Sequence, residues 1–363
     1  MRRALEIAER GWGRVSPNPM VGALIVDDHA GLVLAEGWHE GPGTVHAEVM
    51  ALRLAGDRAR GSTVVCTLEP CNRVGRTPPC TLALIDAGVA KVVVAAIDPD
   101  LGEGAPGLAE LRAAGIEVES GVLASASRRL NRAFERHVMT GLPTVTLKMA
   151  SSLDGKAAAN DGSSKWITGE EARADVQRLR AWADAIVVGA GTVNADDPAL
   201  TVRDPRFSEV PSPLRVVVDS AGRLPPRGPL FDGCTPSLIA TTSRAPEAQM
   251  AGWAAAGAEV VVLDRDPWDG VSLPALLAAL GKRDVQGVLV EGGPTLAWSF
   301  VRDGLVDDIV LYVAPKLVGG ATAPGVVMGS GFAPIGDALD LTFESATMVG
   351  PDLRLEAHVH RDH

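Results

Sequence analysis

The chain has 363 residues, 46% hydrophobic and 22% charged, which is more than one core usually serves and excludes a disordered or fibrous polypeptide. A formal charge of −11 and a single tyrosine exclude long nucleic acid as the natural partner, while local cations and helix N-termini can still hold a small phosphate. Four cysteines are too few for a disulfide scaffold, no run has the roughly 18 apolar residues of a membrane span, and the N-terminus lacks the apolar core of a signal peptide. A cytoplasmic homo-oligomer with no membrane partner is expected.

The start, MRRALEIAERGWG, reads as an amphipathic helix. From Val21 to Val122 the segments VGALIVDD, LVLAEGWH, STVVCTLEP, KVVVAAIDPD and IEVESGVL read as strands. HAEVMALRLAG, TLALIDAG and GLAELRAAG, between them, have helical spacing and end at Gly. Such alternation indicates an α/β sandwich with much parallel pairing. SASRRLNRAFERHVMTGLP reads as one connecting helix closed by Gly141 and Pro143, which places a domain boundary near residue 142 and gives domains 1–142 and 143–363.

The pattern restarts at TVTLKMASSLDG, and strands recur at AIVVGAGTV, LRVVVDS, PSLIATT, EVVVLD, GVLVEGG and DDIVLYVAP. From Asp308 to His358 there is little helix, so this second α/β domain is expected to end in an antiparallel flap or hairpin. No internal repeat is visible.

His46-Ala47-Glu48 opens one helix, and Pro70-Cys71 with Pro79-Cys80 stands between a strand end and the next helix start. Helix N-termini favour the ionised thiolate. One imidazole and two thiolates (His46, Cys71, Cys80) make three zinc ligands and leave a fourth tetrahedral position for water, as in a catalytic site. Glu48, beside the metal without binding it, is placed to shuttle a proton to the leaving amine; H-x-E followed by P-C-x-x-C is the zinc deaminase pattern, and the second half departs from it. Here the two cysteines are separated by NRVGRTPP, longer than the usual two residues. Cys66, inside a Val-rich strand, reads as a buried apolar residue.

The segments PNPMVGALIV, GWH, HAEVMAL, TLEPC and GRTPPC resemble the deaminase half of the bifunctional riboflavin-biosynthesis deaminase/reductase family, and the resemblance extends over almost the whole chain. Val45 departs from the Pro that usually precedes the zinc His, and NRV replaces the usual residues after Cys71. The resemblance implies a cytidine-deaminase-like three-layer α/β/α domain acting on a small phosphorylated pyrimidine, 2,5-diamino-6-ribosylamino-4(3H)-pyrimidinone 5′-phosphate. It implies that Asn18 hydrogen-bonds the pyrimidine, His39 lines the pocket and Arg76 meets substrate. By residue type alone, Asn18 also reads as a turn residue between two prolines and His39 as an exposed strand end.

LKMASSLDGKAA, SSKWITGEEAR, GAGTVNADDPALTVR and LVEGGPTLAWSF resemble the reductase half of the same family, which implies a dihydrofolate-reductase-like α/β fold and NADPH as cofactor. No Rossmann glycine pattern is present. Gly292-Gly293-Pro294-Thr295 follows a strand and opens a helix, offering free N–H groups to a pyrophosphate, although EGGPT by itself reads first as a tight turn. The resemblance assigns Ala150, Ser164, Trp166, Thr192, Asp196 and the segment from Gly293 through Pro294 and Thr295 to Ser299 to NADPH. It assigns Lys148, Thr168, Arg180, Leu200, Arg203 and Glu291 to the ribosylamino substrate. Lys148, Asp196 and Glu291 are the candidates for assisting ring opening or proton transfer; each also reads as an ordinary surface ion pair. Two other readings remain: a different nucleobase or nucleotide deaminase fused to a nucleotide-binding module, and a non-catalytic protein with structural zinc.

Overall fold

The structure, a computed structural model, describes residues 1–74, 78–101 and 104–360, and the chain divides into two compact units, Met1–Gly141 and Leu142–His363. The first contains α1 (Arg2–Ala8), β1 (Gly22–Asp27), β2 (Leu32–Trp38), α2 (Ala47–Ala55), β3 (Thr63–Leu68), α3 (Cys80–Ala87), β4 (Lys91–Ala96), α4 (Pro106–Ala113), β5 (Glu117–Ser120), α5 (Ala124–Leu130) and α6 (Arg132–Thr140). Its sheet runs β2-β1-β3-β4-β5, with β1 antiparallel to both neighbours and β3, β4 and β5 parallel.

Side chains alternate across a strand, so β1 sends Ala23 and Ile25 to one face and Leu24 to the other. The first face packs Val64, Cys66, Val92 and Val94 against Ala47 and Ala51 of α2, Leu84 of α3 and Leu108 and Leu111 of α4. Leu24 meets Ala4 and Ile7 of α1. Helices therefore cover both faces, which makes a three-layer α/β/α unit. Gly37 in β2 permits a close approach: a Cβ there would lie 2.2 Å from the Ala47 carbonyl oxygen and 2.6 Å from the Ala51 nitrogen. The first turn of α2 is thereby seated on the sheet.

The connecting segment is two helices instead of one. It breaks at Asn131, whose buried side chain accepts from the Met20 N–H at 2.7 Å and donates to the Met20 carbonyl at 2.9 Å. A tertiary partner for a side-chain amide outcompetes helical continuity there.

The second unit contains β6 (Thr144–Ser152), α7 (Glu170–Trp182), β7 (Ala185–Gly189), α8 (Ala190–Asp196), β8 (Leu214–Val218), β9 (Ser237–Thr241), α9 (Glu247–Ala255), β10 (Glu259–Val262), α10 (Leu273–Gly281), β11 (Gly287–Val290), α11 (Pro294–Arg302), β12 (Asp308–Ala314), β13 (Leu341–Val349) and β14 (Asp352–Val359). The sheet order is β10-β9-β8-β7-β11-β6-β12-β14-β13, parallel through β12 and antiparallel in the terminal hairpin. One face packs Ile186, Val188, Val217, Ile239 and Leu289 on α7 and on Trp253 of α9. The other packs Val145, Val187, Val216 and Val288 on Leu276, Leu277 and Leu280 of α10 and Phe300 of α11. Burial on both faces explains the nearly continuous apolar runs of these strands.

AIVVGAGTV, read as a strand throughout, turns helical at Ala190. The resulting α8 ends at Asp197, which has a φ of +44° directly before Pro198, where a helical conformation is sterically disfavoured. Because β11 lies between β7 and β6, the carboxyl ends of three strands far apart in sequence become neighbours. Ligands of open parallel sheets bind at such ends.

Candidate active sites

In the first unit, Glu69-Pro70-Cys71 directly follows β3, while His46 caps α2 and Cys80 is the first residue of α3. The His46 Nδ1 lies 3.1 Å from the Cys80 Sγ and 3.4 Å from the Cys71 Sγ, and the Cys80 N–H donates to the Cys71 Sγ at 3.4 Å. The three ligand atoms are all within 4.8 Å of one another. This donor set, one imidazole nitrogen and two sulfurs, fits zinc with an open position. Hydrogen bonding from Cys80 draws the Cys71 thiol well below its ordinary value, towards the thiolate that a metal requires.

Glu48, only 3% exposed, sits in the first turn of α2 with the Cys80 thiol in hydrogen-bonding contact. Burial pushes its carboxyl up to about 7, where it can both take and give a proton near neutral pH. His39 is buried, which lowers its pKa and keeps the ring neutral. The neutral tautomer consistent with its surroundings donates from Nδ1 to the Val45 carbonyl at 3.4 Å and accepts at Nε2 from the Asn18 Nδ2 at 2.9 Å. His39 is thus not an exposed strand end, and its ring stands edge-on to His46 with centroids 5.7 Å apart. Arg76 lies outside the described residues.

Two acidic residues join the site without having been singled out by the sequence pattern. Glu69, 2% exposed, accepts from the N–H groups of Gly107 at 2.8 Å, Leu108 at 3.3 Å and Asp98 at 3.3 Å. It ties the start of α4 and the loop after β4 to the segment that carries Cys71. Asp98 is held up to about 6 by burial. The available signal was an acid directly before Pro-Cys in TLEPC.

In the second unit, register alone sets Glu291 beside Lys148: Val290 pairs with Leu147 of β6 on one side and with Val187 of β7 on the other. Arg180 of α7 meets Glu291 in a two-pronged pair, Nε to Oε1 at 2.6 Å and Nη2 to Oε2 at 3.0 Å, and Arg180 Nη1 donates to the Thr201 carbonyl at 3.1 Å. Burial would raise Glu291, but Arg180 and then Lys148 hold it below the ordinary value. Burial lowers Lys148, with Glu291 opposing and Arg180 adding to the shift. These are interior charges, not surface ion pairs. Asp196 does match the surface reading, since it pairs with Lys165 at 3.3 Å with both side chains well exposed.

Thr192 of α8 accepts from the Gly293 N–H at 2.9 Å, and Gly293 caps α11 with Pro294 at its first position and Thr295, exposed, next. The two nucleotide candidates flanking β7 and β11 are therefore joined directly. Ala150 and Ser164 are half-buried. Trp166 is 63% exposed, with the Arg173 guanidinium 4.5 Å from its ring centroid, and Arg173 also donates to the Thr168 carbonyl at 2.8 Å. Leu200 packs in the core at 2% exposure, so its backbone is what it can offer a ligand. Arg203 is exposed, and its N–H donates at 2.7 Å to Gln177, one turn before Arg180 on α7.

Among the described residues, no helix is long and apolar enough to cross a membrane. Residues 1–96 match the family described as the cytidine and deoxycytidylate deaminase zinc-binding region, and residues 143–355 match the RibD C-terminal domain. The chain is 40% identical to the riboflavin biosynthesis protein RibD of Escherichia coli strain K12, over 98% of this chain and 97% of that one. It is 44% identical to RibD of Mycobacterium tuberculosis H37Rv, over 98% and 95%. Among solved structures, RibD of Acinetobacter baumannii superposes with a TM-score of 0.87 at 39% identity, covering 99% of this chain and 98% of that one. A diaminohydroxyphosphoribosylaminopyrimidine deaminase/5-amino-6-(5-phosphoribosylamino)uracil reductase from Thermotoga maritima gives a TM-score of 0.86 at 33% identity, covering 99% and 97%.

Proposed function

The chain belongs to the RibD family of bifunctional riboflavin-biosynthesis enzymes, and from that premise we propose how its own residues divide the two reactions. It is a hydrolase and an oxidoreductase, with zinc and NADPH as cofactors. The first reaction removes the 2-amino group of 2,5-diamino-6-ribosylamino-4(3H)-pyrimidinone 5′-phosphate; the second reduces the ribosyl group of 5-amino-6-(5-phosphoribosylamino)uracil to ribityl.

The deaminase reading is carried by Glu48, a buried carboxyl poised at about 7 beside the cluster of His46, Cys71 and Cys80. Zinc held by those three residues supplies Lewis acidity that makes water nucleophilic at neutral pH. Glu48 takes the proton of the attacking water and returns it to the departing amine. Asn18 and neutral His39 orient the pyrimidine edge, and Arg76 meets substrate.

In the reductase, NADPH supplies the hydride. Thr192 and the α11 N-terminus of Gly293, Pro294 and Thr295 hold its phosphates, with Ala150, Ser164, Trp166 and Asp196 completing the nucleotide site. Arg180 holds Glu291 ionised beside Lys148, whose burial-lowered pKa suits it to moving a proton during ribose opening. Thr168, Leu200 and Arg203 face the substrate, the guanidinium near its phosphate.

The deaminase is assigned to 1–142 and the reductase to 143–363. The cytoplasm is the proposed compartment, since the zinc thiols must remain reduced. A homo-oligomer is supported by edge strand β13, which exposes Phe343 at 69% and Met348 at 65%, and sedimentation velocity tests it. Incubation of the purified protein with the diaminopyrimidine phosphate, with and without NADPH, followed by mass spectrometry tests the whole reading. Each step has its own mass change, and the second requires NADPH. An unchanged substrate mass with zinc-loaded protein would overturn it.

A further inference from the structure

The loop after β6 carries an exposed carboxylate, Asp154, whose oxygens are all used. Its Oδ1 accepts from the Ser152 hydroxyl at 2.7 Å and the Val318 N–H at 3.0 Å, and its Oδ2 accepts from the Gly319 N–H at 2.7 Å. These bonds hold the carboxyl well below its ordinary value, the one from Ser152 most strongly. Val318 and Gly319 begin the long connection between β12 and β13, so one side chain pins that connection to the loop after β6.

The same two segments are tied again on both sides of Asp154. The Leu153 N–H donates to the Lys316 carbonyl at 2.8 Å, the Ala157 N–H to the Pro324 carbonyl at 2.8 Å, and the Lys156 Nζ to the Ala323 carbonyl at 3.0 Å. From there the connection runs to α11, where the Met328 N–H donates to the Pro294 carbonyl at 3.1 Å. Gly329 lies so close to Trp298 that a Cβ would be 1.9 Å from its ring. In the other direction, the Lys316 Nζ donates to the Trp166 carbonyl at 2.7 Å.

We propose that Asp154 and Lys316 are positioning residues of the reductase, forming a clamp that sets Trp166 and the first turn of α11 at the separation the nicotinamide dinucleotide requires. This rests on the reading above that Trp166 and the Gly293–Pro294–Thr295 turn contact the dinucleotide. Both act through the main chain they hold, Asp154 through Val318 and Gly319 and Lys316 through Trp166. A carboxylate accepting two backbone N–H groups is suited to the task, because it fixes a main chain in place without a strand partner. Near the clamp the connection carries the exposed apolar residue Leu317 at 78%, while Ala323 at 4% and the Gly329 and Phe332 contacts with Trp298 pack it further along, so the polar ties act where packing is thinnest.

The test measures NADPH affinity by fluorescence titration of the full-length protein, together with steady-state reduction of the deaminated substrate. Asp154→Asn and Lys316→Met are each expected to weaken NADPH binding by about tenfold, a typical consequence of losing one charge-assisted tie, while the turnover number at saturating NADPH stays within about twofold. Deaminase turnover serves as the folded-protein control. A purely structural role would lower the thermal midpoint and the active fraction and leave the dissociation constant unchanged, which would overturn the clamp. If Asp154→Asn fails to fold, Lys316→Met reads the same clamp from its Trp166 end, and wild-type affinity there overturns it equally. A wild-type protein that bound no NADPH would overturn the nucleotide-site reading and the clamp together, whereas normal wild-type binding with unaffected variants would overturn the clamp alone.

Discussion

Arg180 and Glu291, 111 positions apart, close on each other with two parallel hydrogen bonds of 2.6 and 3.0 Å, and both side chains are nearly buried at 12% and 9% exposure. Removing one member of such a pair leaves the other charged and unpaired in the interior. Arg180→Ala should therefore destabilise the second unit by about 3 kcal/mol, read as a lowered midpoint in chemical denaturation. The doubly apolar variant Arg180→Met/Glu291→Leu should recover much of that stability and none of the reductase activity. Recovery of activity in the double variant would remove both residues from the catalytic assignment.

The same pair sets a pH limit. The Glu291 carboxyl is held below its ordinary value of 4.5, so its contribution to stability is fully present above that value and disappears as the pH falls through the lower, folded-state value. Unfolding followed between pH 6 and about 3 should show an acid-side loss of stability that is smaller in the Arg180→Met/Glu291→Leu variant.

Glu48→Gln keeps the shape of the side chain and removes the proton shuttle. Deamination should fall by at least about 100-fold with zinc content unchanged, measured by ammonia release and elemental analysis on one preparation. Reduction of supplied deaminated substrate should continue at the wild-type rate. Unchanged deamination would take the catalytic role away from Glu48.

Cys71→Ser and Cys80→Ser each remove a thiolate from a three-ligand set and should lose most of the bound zinc. Cys66→Ala and Cys234→Ala should retain it, because Cys66 is packed in the β-sheet core and Cys234 is exposed in the other unit. Full occupancy in either serine variant would break the ligand assignment.

The two activities should separate physically. A fragment 1–142 is expected to deaminate without NADPH, and a fragment 143–363 to oxidise NADPH only with the deaminated ribosylamino phosphate. Within the second, Arg203→Ala should raise the substrate Michaelis constant more than it lowers turnover, since an exposed guanidinium on a phosphate acts far from the hydride. A folded 143–363 fragment without NADPH binding would refute the division.

Much of the deaminase centre was legible because its chemistry is carried by residue type at local positions. His46 and Cys80 sit at helix starts, and an imidazole with two thiolates has few uses other than a metal. The alternating strands and helices were legible for a similar reason, since burial of both sheet faces writes apolar runs directly into the chain. The single connecting helix and the long strand AIVVGAGTV were misread, because the break at Asn131 depends on Met20, 111 residues away, and the turn into α8 follows from where the sheet ends.

The sequence by itself singled out the candidate zinc donors, the candidate proton-shuttling acid, the two α/β patterns and the family motifs, all of which are set by residue chemistry over a few neighbouring positions. Only the tertiary structure decided that Asn18 and His39 share a hydrogen bond, that Glu69 anchors the segment carrying Cys71, that Arg180 neutralises Glu291 and that Asp154 pins the Val318–Gly319 segment. Each of these joins segments that strand order brings together: β3 beside β1 and β4 in the first unit, and β11 between β7 and β6 with β12 parallel to β6 in the second. Partner choice among such charged and polar groups is a property of the folded geometry, because no local spacing in the chain encodes it.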